Sequence, residues 1–476
     1  MTENSPTKSD VLAARSSESG DAWDRSAVNL DWIEEFVASI RPYVFVRRED
    51  SLFILLPNQA YKINPTAMDI LESLLNGAAL ADVVSRHGLD RPERRRHVHE
   101  FFCDLRALVM GCLGDGKGRR AVETIPFERP FNTLPVLSEV AVTYRCNLRC
   151  RFCYVGCGCR ASGDERNEMT TAEICRVLDV IRRDAQVPSV SFTGGEPLLR
   201  ADLAGLIAHA RTNGMRVNLI TNGTLADART VERLSKAGLN SAQVSLEGPN
   251  AAIHDGLTGL AGSFEQTMRG IAELRDAGVH VHTNTTLTAL NRDAAEAMPA
   301  LAASLGLLRL SMNLMIPTPA AVKAGGEGLG ISYSEVGNIV LRIKEAARRA
   351  NVRFLWYSPT PLCLFNPISH GLGNKGCAAC DGLLSVSPTG DVLPCSSFDE
   401  GVGNLLREDF RTIWWGDRAE YYKQKRYAHA VCRACGDFVF CDGACPLYWA
   451  SRGYDELTCP TISRKARSNV ARLQTA

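Results

Sequence analysis

The sequence predicts an α/β protein whose central section is a parallel sheet of six strand-helix units closed as an open or partial barrel. A small module precedes it and a cysteine-rich tail follows. Three observations carry this. From Leu137 onward, β-prone runs alternate with amphipathic stretches, with strand candidates at Leu137 to Tyr144, Val187 to Thr193, Arg216 to Thr221, Ser241 to Leu246, Val279 to Leu287 and Leu307 to Ile316. The helix ends are legible: Thr170-x-x-Glu173 is a capping box ahead of the stripe Ile174, Val177, Leu178 and Ile181. Gly214, Gly238 and Gly278 stand where left-handed C-caps are expected. Right-handed crossovers between parallel strands are nearly obligatory, so six such units in series imply a curved sheet. The third observation is that the cysteines cluster: two lie before Cys146, six from Cys146 to Cys175, and nine after residue 360.

The 476 residues exceed one ordinary core. With 54 basic and 53 acidic residues the formal charge is +1, which argues against a polyanion-binding surface and hence against nucleic acid as partner. No apolar run reaches the length of a membrane span, and the polar N-terminus carries no secretory signal, so a cytoplasmic location is expected, with no membrane partner. In a reducing compartment, 17 cysteines read as metal ligands rather than disulfides.

In chain order, residues 1–25 are polar and expected to be a disordered leader. Residues 26–118 form the first module, with three short strands at Tyr43 to Arg47, Ser51 to Leu56 and Gln59 to Ile63. Three helices follow, around Thr66 to Leu74, Ala81 to Val84 and Val98 to Leu108. Residues 119–134 are the linker, 135–350 the barrel and 351–476 the tail, with a second capping box, Ser332-x-x-Glu335, opening the last barrel helix.

At the end of the first barrel strand stands Cys146-Asn147-Leu148-Arg149-Cys150-Arg151-Phe152-Cys153. Three thiolates within eight residues can hold a [4Fe-4S] cube with one iron left open. The next strand ends in Gly194-Gly195-Glu196-Pro197, where the glycines would let the backbone approach a ligand and Glu196 could accept from a protonated amine. Ligands of parallel α/β sheets sit outside the strand C-termini, so these motifs should face one pocket.

CxxxCxxC followed by this GGEP turn resembles the radical S-adenosylmethionine superfamily. The resemblance implies that Cys146, Cys150 and Cys153 hold the cluster and that S-adenosylmethionine binds its open iron. It implies cofactor contacts from Phe152, Tyr154, Gly194, Gly195, Glu196, Pro197, Asn222, Ser245 and Asn284, with Met315 to Pro317 beside the adenine. It also implies reductive cleavage to a 5′-deoxyadenosyl radical. Cys157 and Cys159 are not needed by this motif, and no residue is assigned as catalytic acid or base.

The tail reads Cys380-x9-Gly390-x4-Cys395, a gap, Cys432-x2-Cys435-x5-Cys441-x3-Cys445, a gap, and Cys459. This resembles the SPASM domain, which implies two auxiliary [4Fe-4S] clusters and three in all. Carried over by position, Cys380, Cys395 and Cys445 ligate one, with Cys377 or Cys363 as fourth ligand or an open iron. Cys432, Cys435, Cys441 and Cys459 ligate the other. A structural zinc on Cys377, Cys380, Cys432 and Cys435 would leave the remaining tail cysteines without purpose.

The first module, with Tyr61-x-Ile-Asn-x-Thr-Ala67, resembles the PqqD-like leader-recognition domain, a winged-helix-like unit whose sheet edge receives a precursor peptide as an added strand. The full expectation is thus a partial (β/α)6 barrel with an N-terminal winged-helix-like domain and a C-terminal cysteine-rich iron-sulfur domain. The resemblance implies a peptide maturase that abstracts hydrogen from a ribosomally made peptide, forming a crosslink, thioether, epimer or decarboxylated end. An electron donor such as flavodoxin or ferredoxin would serve it. The alternatives are a radical enzyme acting on a small molecule or tetrapyrrole side chain, and a non-catalytic iron-sulfur scaffold or redox sensor.

Overall fold

The computed structural model describes residues 28–57, 59–89, 91–109, 131–157 and 168–458. The leader 1–25, Cys112, Cys159, Cys459 and most of the linker lie outside the described residues. Two compact units divide the chain: 1–55 with 62–126, and 56–61 with 127–476.

In the N-terminal segment, strands β1 (Val44–Arg47), β2 (Leu52–Leu55) and β3 (Gln59–Lys62) form a sheet in that order, β1 antiparallel to β2. Helices Pro65–Leu75, Leu80–His87 and Pro92–Val109 follow, as the apolar spacing predicts. Asn64 caps the first of them by accepting from the Ala67 N–H at 2.8 Å, and Pro65 sits at its first position, where a missing N–H costs nothing. An additional helix, Trp32–Ile40, precedes the strands and buries Ile33, Val37 and Ile40. That i, i+4, i+7 stripe was readable in the sequence. Inside this unit Arg47 and Asp50 form a buried bidentate ion pair at 2.8–2.9 Å.

The second unit is mixed α/β with a large parallel sheet. Strands β4 (Leu137–Thr143), β5 (Ser189–Gly194), β6 (Arg216–Thr221), β7 (Ser241–Ser245), β8 (His280–Leu287) and β9 (Arg309–Leu314) follow the expected six within two residues at each end. Two features extend this sheet. After helix Tyr333–Arg349, β10 (Arg353–Trp356) pairs parallel to β9, and β11 (Leu383–Val386) from the tail pairs parallel to β4. The order is β10-β9-β8-β7-β6-β5-β4-β11-β12-β13, with β12 (Asp391–Leu393) and β13 (Gly403–Asn404) antiparallel. The tail therefore shares a sheet with the strand that leads into CxxxCxxC.

Strand periodicity divides the two faces. Val140, Val142, Val190, Phe192, Val217, Leu219, Ala242, Val244, Leu310 and Met312 are buried in one core with helix residues such as Ile174, Leu178, Leu206 and Ile271. The alternate positions are mostly polar and pair in rows. Ser385, Glu139, Ser191, Asn218 and Ser241 are successive partners across five strands. Both capping boxes form, at Thr170/Glu173 and Ser332/Glu335. Gly214, Gly238 and Gly278 have φ of +72°, +96° and +77°, as C-cap positions require. Among the described residues no helix is long and apolar enough to cross a membrane.

Leu219 is completely buried in this core. Leu219→Ala is expected to lower the unfolding free energy by about 2–5 kcal/mol through lost burial and a residual cavity. The check is a lower unfolding midpoint by circular dichroism.

Candidate functional site

The loop that follows β4 is held by backbone. The N–H groups of Arg149 and Arg151 donate at 2.9 Å to the carbonyls of Thr258 and Leu257, at the C-terminal end of helix Ala251–Thr258, where acceptors run out of intrahelical donors. Gly259 ends that helix at φ +72°, and a Cβ there would stand 2.7 Å from the Arg149 oxygen. Within the loop, the Leu148 N–H reaches Cys146 Sγ at 3.5 Å and the Cys157 N–H reaches Cys153 Sγ at 3.4 Å.

The three thiols share one electrostatic environment. Burial pushes Cys146 up to about 11, with Glu196 and Cys153 adding to the rise. Burial, then Glu247, Cys153 and Cys146, push Cys150 up as well. Cys153 moves the other way, down to about 6, because the Cys157 thiol and nearby backbone N–H groups donate to it. Buried, mutually repelling thiolates can all ionise only around a cationic centre, and an iron-sulfur cluster is one. Among the described residues no three His, Cys, Asp or Glu side chains stand close enough to hold a single metal ion.

The glycines of the GGEP turn pack closely against the end of β4. A Cβ on Gly194 would lie 2.0 Å from the Thr143 oxygen, and one on Gly195 would lie 2.1 Å from the Arg145 oxygen. The position each Cβ would occupy is taken by the end of β4, and the N–H groups of Gly195 and Glu196 donate at 2.8 Å to the Thr143 and Arg145 carbonyls. Glu196 is fully buried and accepts from Thr221 Oγ1 at 2.7 Å, the Asn222 N–H at 2.8 Å and the Leu198 N–H at 3.0 Å. Burial raises its carboxyl to about 7. Its visible role is to tie the ends of β5 and β6 together, with Pro197 buried behind it. Asn222 is thereby aimed at the loop, donating to Asn147 Oδ1 at 2.9 Å and lying 3.9 Å from Cys146 Sγ.

Ser245 and Asn284 are register partners on β7 and β8. Asn284 donates to Asn313 Oδ1 at 2.7 Å and accepts from Ser311 at 2.9 Å, so β9 orients it. Phe152 packs on the small cluster of Met315, Ala321 and Leu329, which brings together two positions expected beside the cofactor. The Tyr154 carbonyl accepts from Thr318 at 3.1 Å, and its phenol is hydrogen-bonded to Ser396.

That last bond was not foreseen. Glu139 on β4 accepts from Ser385 Oγ at 2.7 Å and is also bonded to Ser396, while burial raises its carboxyl. Tyr154 and Ser396 each follow a cysteine, Cys153 and Cys395, so a buried polar bridge joins the first thiol site to the tail. A lone carboxylate in an otherwise apolar strand was the available signal. Glu247 was likewise missed; it is buried, accepts from the Thr286 N–H at 2.8 Å and is raised to about 8 by burial.

The tail cysteines form two groups. Cys377 and Cys445 act on Cys395, and Cys377 acts on Cys380 and Cys445. Burial leads in each case, bringing Cys380 and Cys445 up to about 12. In the second group, Cys441, Cys363 and Cys435 act on Cys432, which burial chiefly brings to about 12. Of the two candidates for the first group's fourth position, Cys377 acts on Cys380, Cys395 and Cys445, whereas Cys363 acts on Cys432.

A parallel α/β sheet carrying a three-thiol loop at one strand end, with further thiol groups in a tail joined to the same sheet, defines an iron-sulfur enzyme. The Radical SAM superfamily profile matches residues 140–302, and that of an iron-sulfur cluster-binding domain, SPASM, matches 377–436. AdoMet-dependent heme synthase of Nitratidesulfovibrio vulgaris is 30% identical over 310 residues, 62% of this chain and 82% of that protein. PqqA peptide cyclase of Xanthomonas euvesicatoria is 28% identical over 322 residues, 63% and 80% of the two chains. In fold, the chain is similar to the crystal structure of Streptococcus suis SuiB bound to precursor peptide SuiA. There the TM-score is 0.63 at 16% identity, covering 87% of this chain and 96% of that one. The chain belongs to the radical SAM superfamily and is an enzyme.

Two outcomes test this geometry. In the cluster-free chain Cys153 is ionised above about pH 6 while Cys146 is not, so iodoacetamide at neutral pH should alkylate Cys153 first. Its rate should fall below pH 6, and Cys157→Ala should move that midpoint upward, as read by mass spectrometry. Gly195→Ala should displace the Arg145 carbonyl and reduce the iron bound after reconstitution.

Proposed function

We propose that this enzyme modifies a ribosomally made peptide held by its N-terminal module. The observation that carries the reading is the three-stranded sheet of that module, in which the partly exposed β3 is an edge strand followed by helices. An edge of this kind can accept an extended peptide through main-chain hydrogen bonds. The likeness to SuiB supports it, because the share of the chain covered exceeds the second unit alone. PqqA peptide cyclase, a relative named for a peptide, supports it too.

In this reading Cys146, Cys150 and Cys153 hold a [4Fe-4S] cluster. Cys377, Cys380, Cys395 and Cys445 hold a second cluster, and Cys432, Cys435 and Cys441 belong to a third. When bound with S-adenosylmethionine, the first cluster supplies one-electron cleavage of the sulfonium and a radical able to abstract hydrogen from the peptide. Asn222, Ser245 and Asn284 orient the cofactor from the strand ends, and Phe152 with Met315 gives it an apolar wall. Glu196 acts one step back by fixing Asn222. The buried Glu139, Ser396 and Tyr154 bridge offers a proton acceptor between the first and second thiol sites. A flavodoxin or ferredoxin would supply the electron.

The likeness to AdoMet-dependent heme synthase favours a second reading, action on a tetrapyrrole side chain, with the N-terminal module then dispensable. Removing residues 1–118 separates the two. The peptide reading expects the truncated enzyme to lose turnover of a full-length precursor while still forming 5′-deoxyadenosine. Undiminished turnover of any substrate by the truncated form would favour the tetrapyrrole reading. Iron analysis of the reconstituted full chain should give about twelve per chain for three cubes, and a value near four would sink the auxiliary sites.

A further inference from the structure

The polar face of the large sheet changes character toward its β10 edge, where the alternate positions hold cations. Arg309 opens β9, Arg353 opens β10, and the two are direct register partners. On the other side of Arg309 stands His282, because the residues that follow these two, Leu310 and Thr283, are partners in turn. Gln243 on β7 pairs with His282 and completes the row. Backbones of neighbouring strands run about 5 Å apart, so same-face side chains at partner positions stand side by side. Beyond the end of β10, the Tyr357 N–H donates to the Met312 carbonyl at 2.9 Å and continues the pairing. Its phenol is hydrogen-bonded to Ser311, and the Lys375 ammonium lies 5.5 Å from its ring centroid.

No acid answers these charges. Among the described residues neither arginine nor Lys375 forms an ion pair, and only cations act on His282, Tyr357 and Lys375. Both arginines are exposed, whereas Ser311, two residues past Arg309, is fully buried. His282 adds hydrogen-bonding capacity rather than charge, because burial, then Arg309, brings it down to about 4. Like charges at facing strand positions repel, so the row is unfavourable until an anion joins it. The row also adjoins the strand positions described above. Ser245 and Asn284 lie two residues past Gln243 and His282 on the same face, about 7 Å along the strands. Ser311 links the two levels, donating to Asn284 Oδ1 at 2.9 Å while bonded to the Tyr357 phenol.

We propose that Arg309, Arg353 and Lys375 hold a carboxylate of the substrate on the polar face of the sheet, one level from Ser245 and Asn284. This rests on the peptide reading above and specifies its substrate, a peptide with an acidic side chain near the residue that loses hydrogen. Guanidinium forks match a carboxylate through paired hydrogen bonds, and the ammonium adds a point charge. The propionate of a tetrapyrrole offers the same chemistry, so the test keeps the two sources apart.

The full chain, reconstituted anaerobically, is labelled with phenylglyoxal and each arginine is followed by mass spectrometry. Arg176, with its side chain 67% exposed on a helix, is the internal reference. N-acetylglutamate α-amide should slow labelling of Arg309 and Arg353 about threefold or more relative to Arg176, and N-acetylglutamine α-amide should not. Haem against its dimethyl ester is the tetrapyrrole arm. Arg353→Gln should raise the concentration of the glutamate probe that half-protects Arg309 by about threefold, and Arg353→Lys should restore most of the difference. No protection in either arm, neutral probes that protect as well as the acids, or an Arg353→Gln chain that behaves as the parent would overturn the site. Protection by haem and not by the glutamate probe would keep the carboxylate site and overturn the peptide as its source.

Discussion

The site depends on one buried carboxylate. Glu196 accepts three hydrogen bonds, from Thr221, Asn222 and Leu198, while the two glycines before it let β5 press against the end of β4. An unpaired carboxylate in that environment would be costly, and three donors make its burial tolerable. The consequence is mechanical: the ends of β4, β5 and β6 are locked together, and the cysteine loop leaves β4 from a fixed point. The Thr258 and Leu257 carbonyls then anchor the loop's middle. Ligand placement therefore depends on strand ends and one helix end rather than on the loop itself, which suits a centre that must be positioned with little tolerance.

The sequence made much of this legible because its strongest signals were local. Strand boundaries at Arg216 to Thr221 and the capping box at Thr170 follow from short-range rules, and the structure agrees with both. What escaped was set by contacts distant in sequence. β10 is four residues of Arg-Phe-Leu-Trp, too short to announce itself, and is defined by pairing with β9. β11 becomes part of the sheet only because Leu383 to Val386 lie beside Leu137 to Val140. Only coordinates could show that Gly194 and Gly195 press on the Thr143 and Arg145 oxygens. The helix at Trp32–Ile40 is the exception, since its apolar stripe was visible and went unread.

The attachment of β11 to β4 changes the meaning of the tail. A separate cysteine-rich domain could sit anywhere relative to the first thiol site, but here the tail continues the same sheet through the strand that ends at that site. Glu139 on β4 pairs with Ser385 on β11, and Ser396 reaches both Glu139 and Tyr154. The first and second thiol groups are consequently related by backbone pairing and by a short polar chain. Their separation is a property of the fold.

The two groups of tail cysteines also differ in how they are made. Cys377, Cys380, Cys395 and Cys445 come from both ends of the tail, with Cys377, Cys380 and Cys445 buried. Their assembly needs the β11 to β13 hairpins to be in place, so any centre they hold is coupled to folding of the sheet. The turns of Cys432, Cys435 and Cys441 are closed by their own backbone hydrogen bonds and can form early. Such a run offers three donors at low entropic cost, and the fourth must come from a more distant part of the chain.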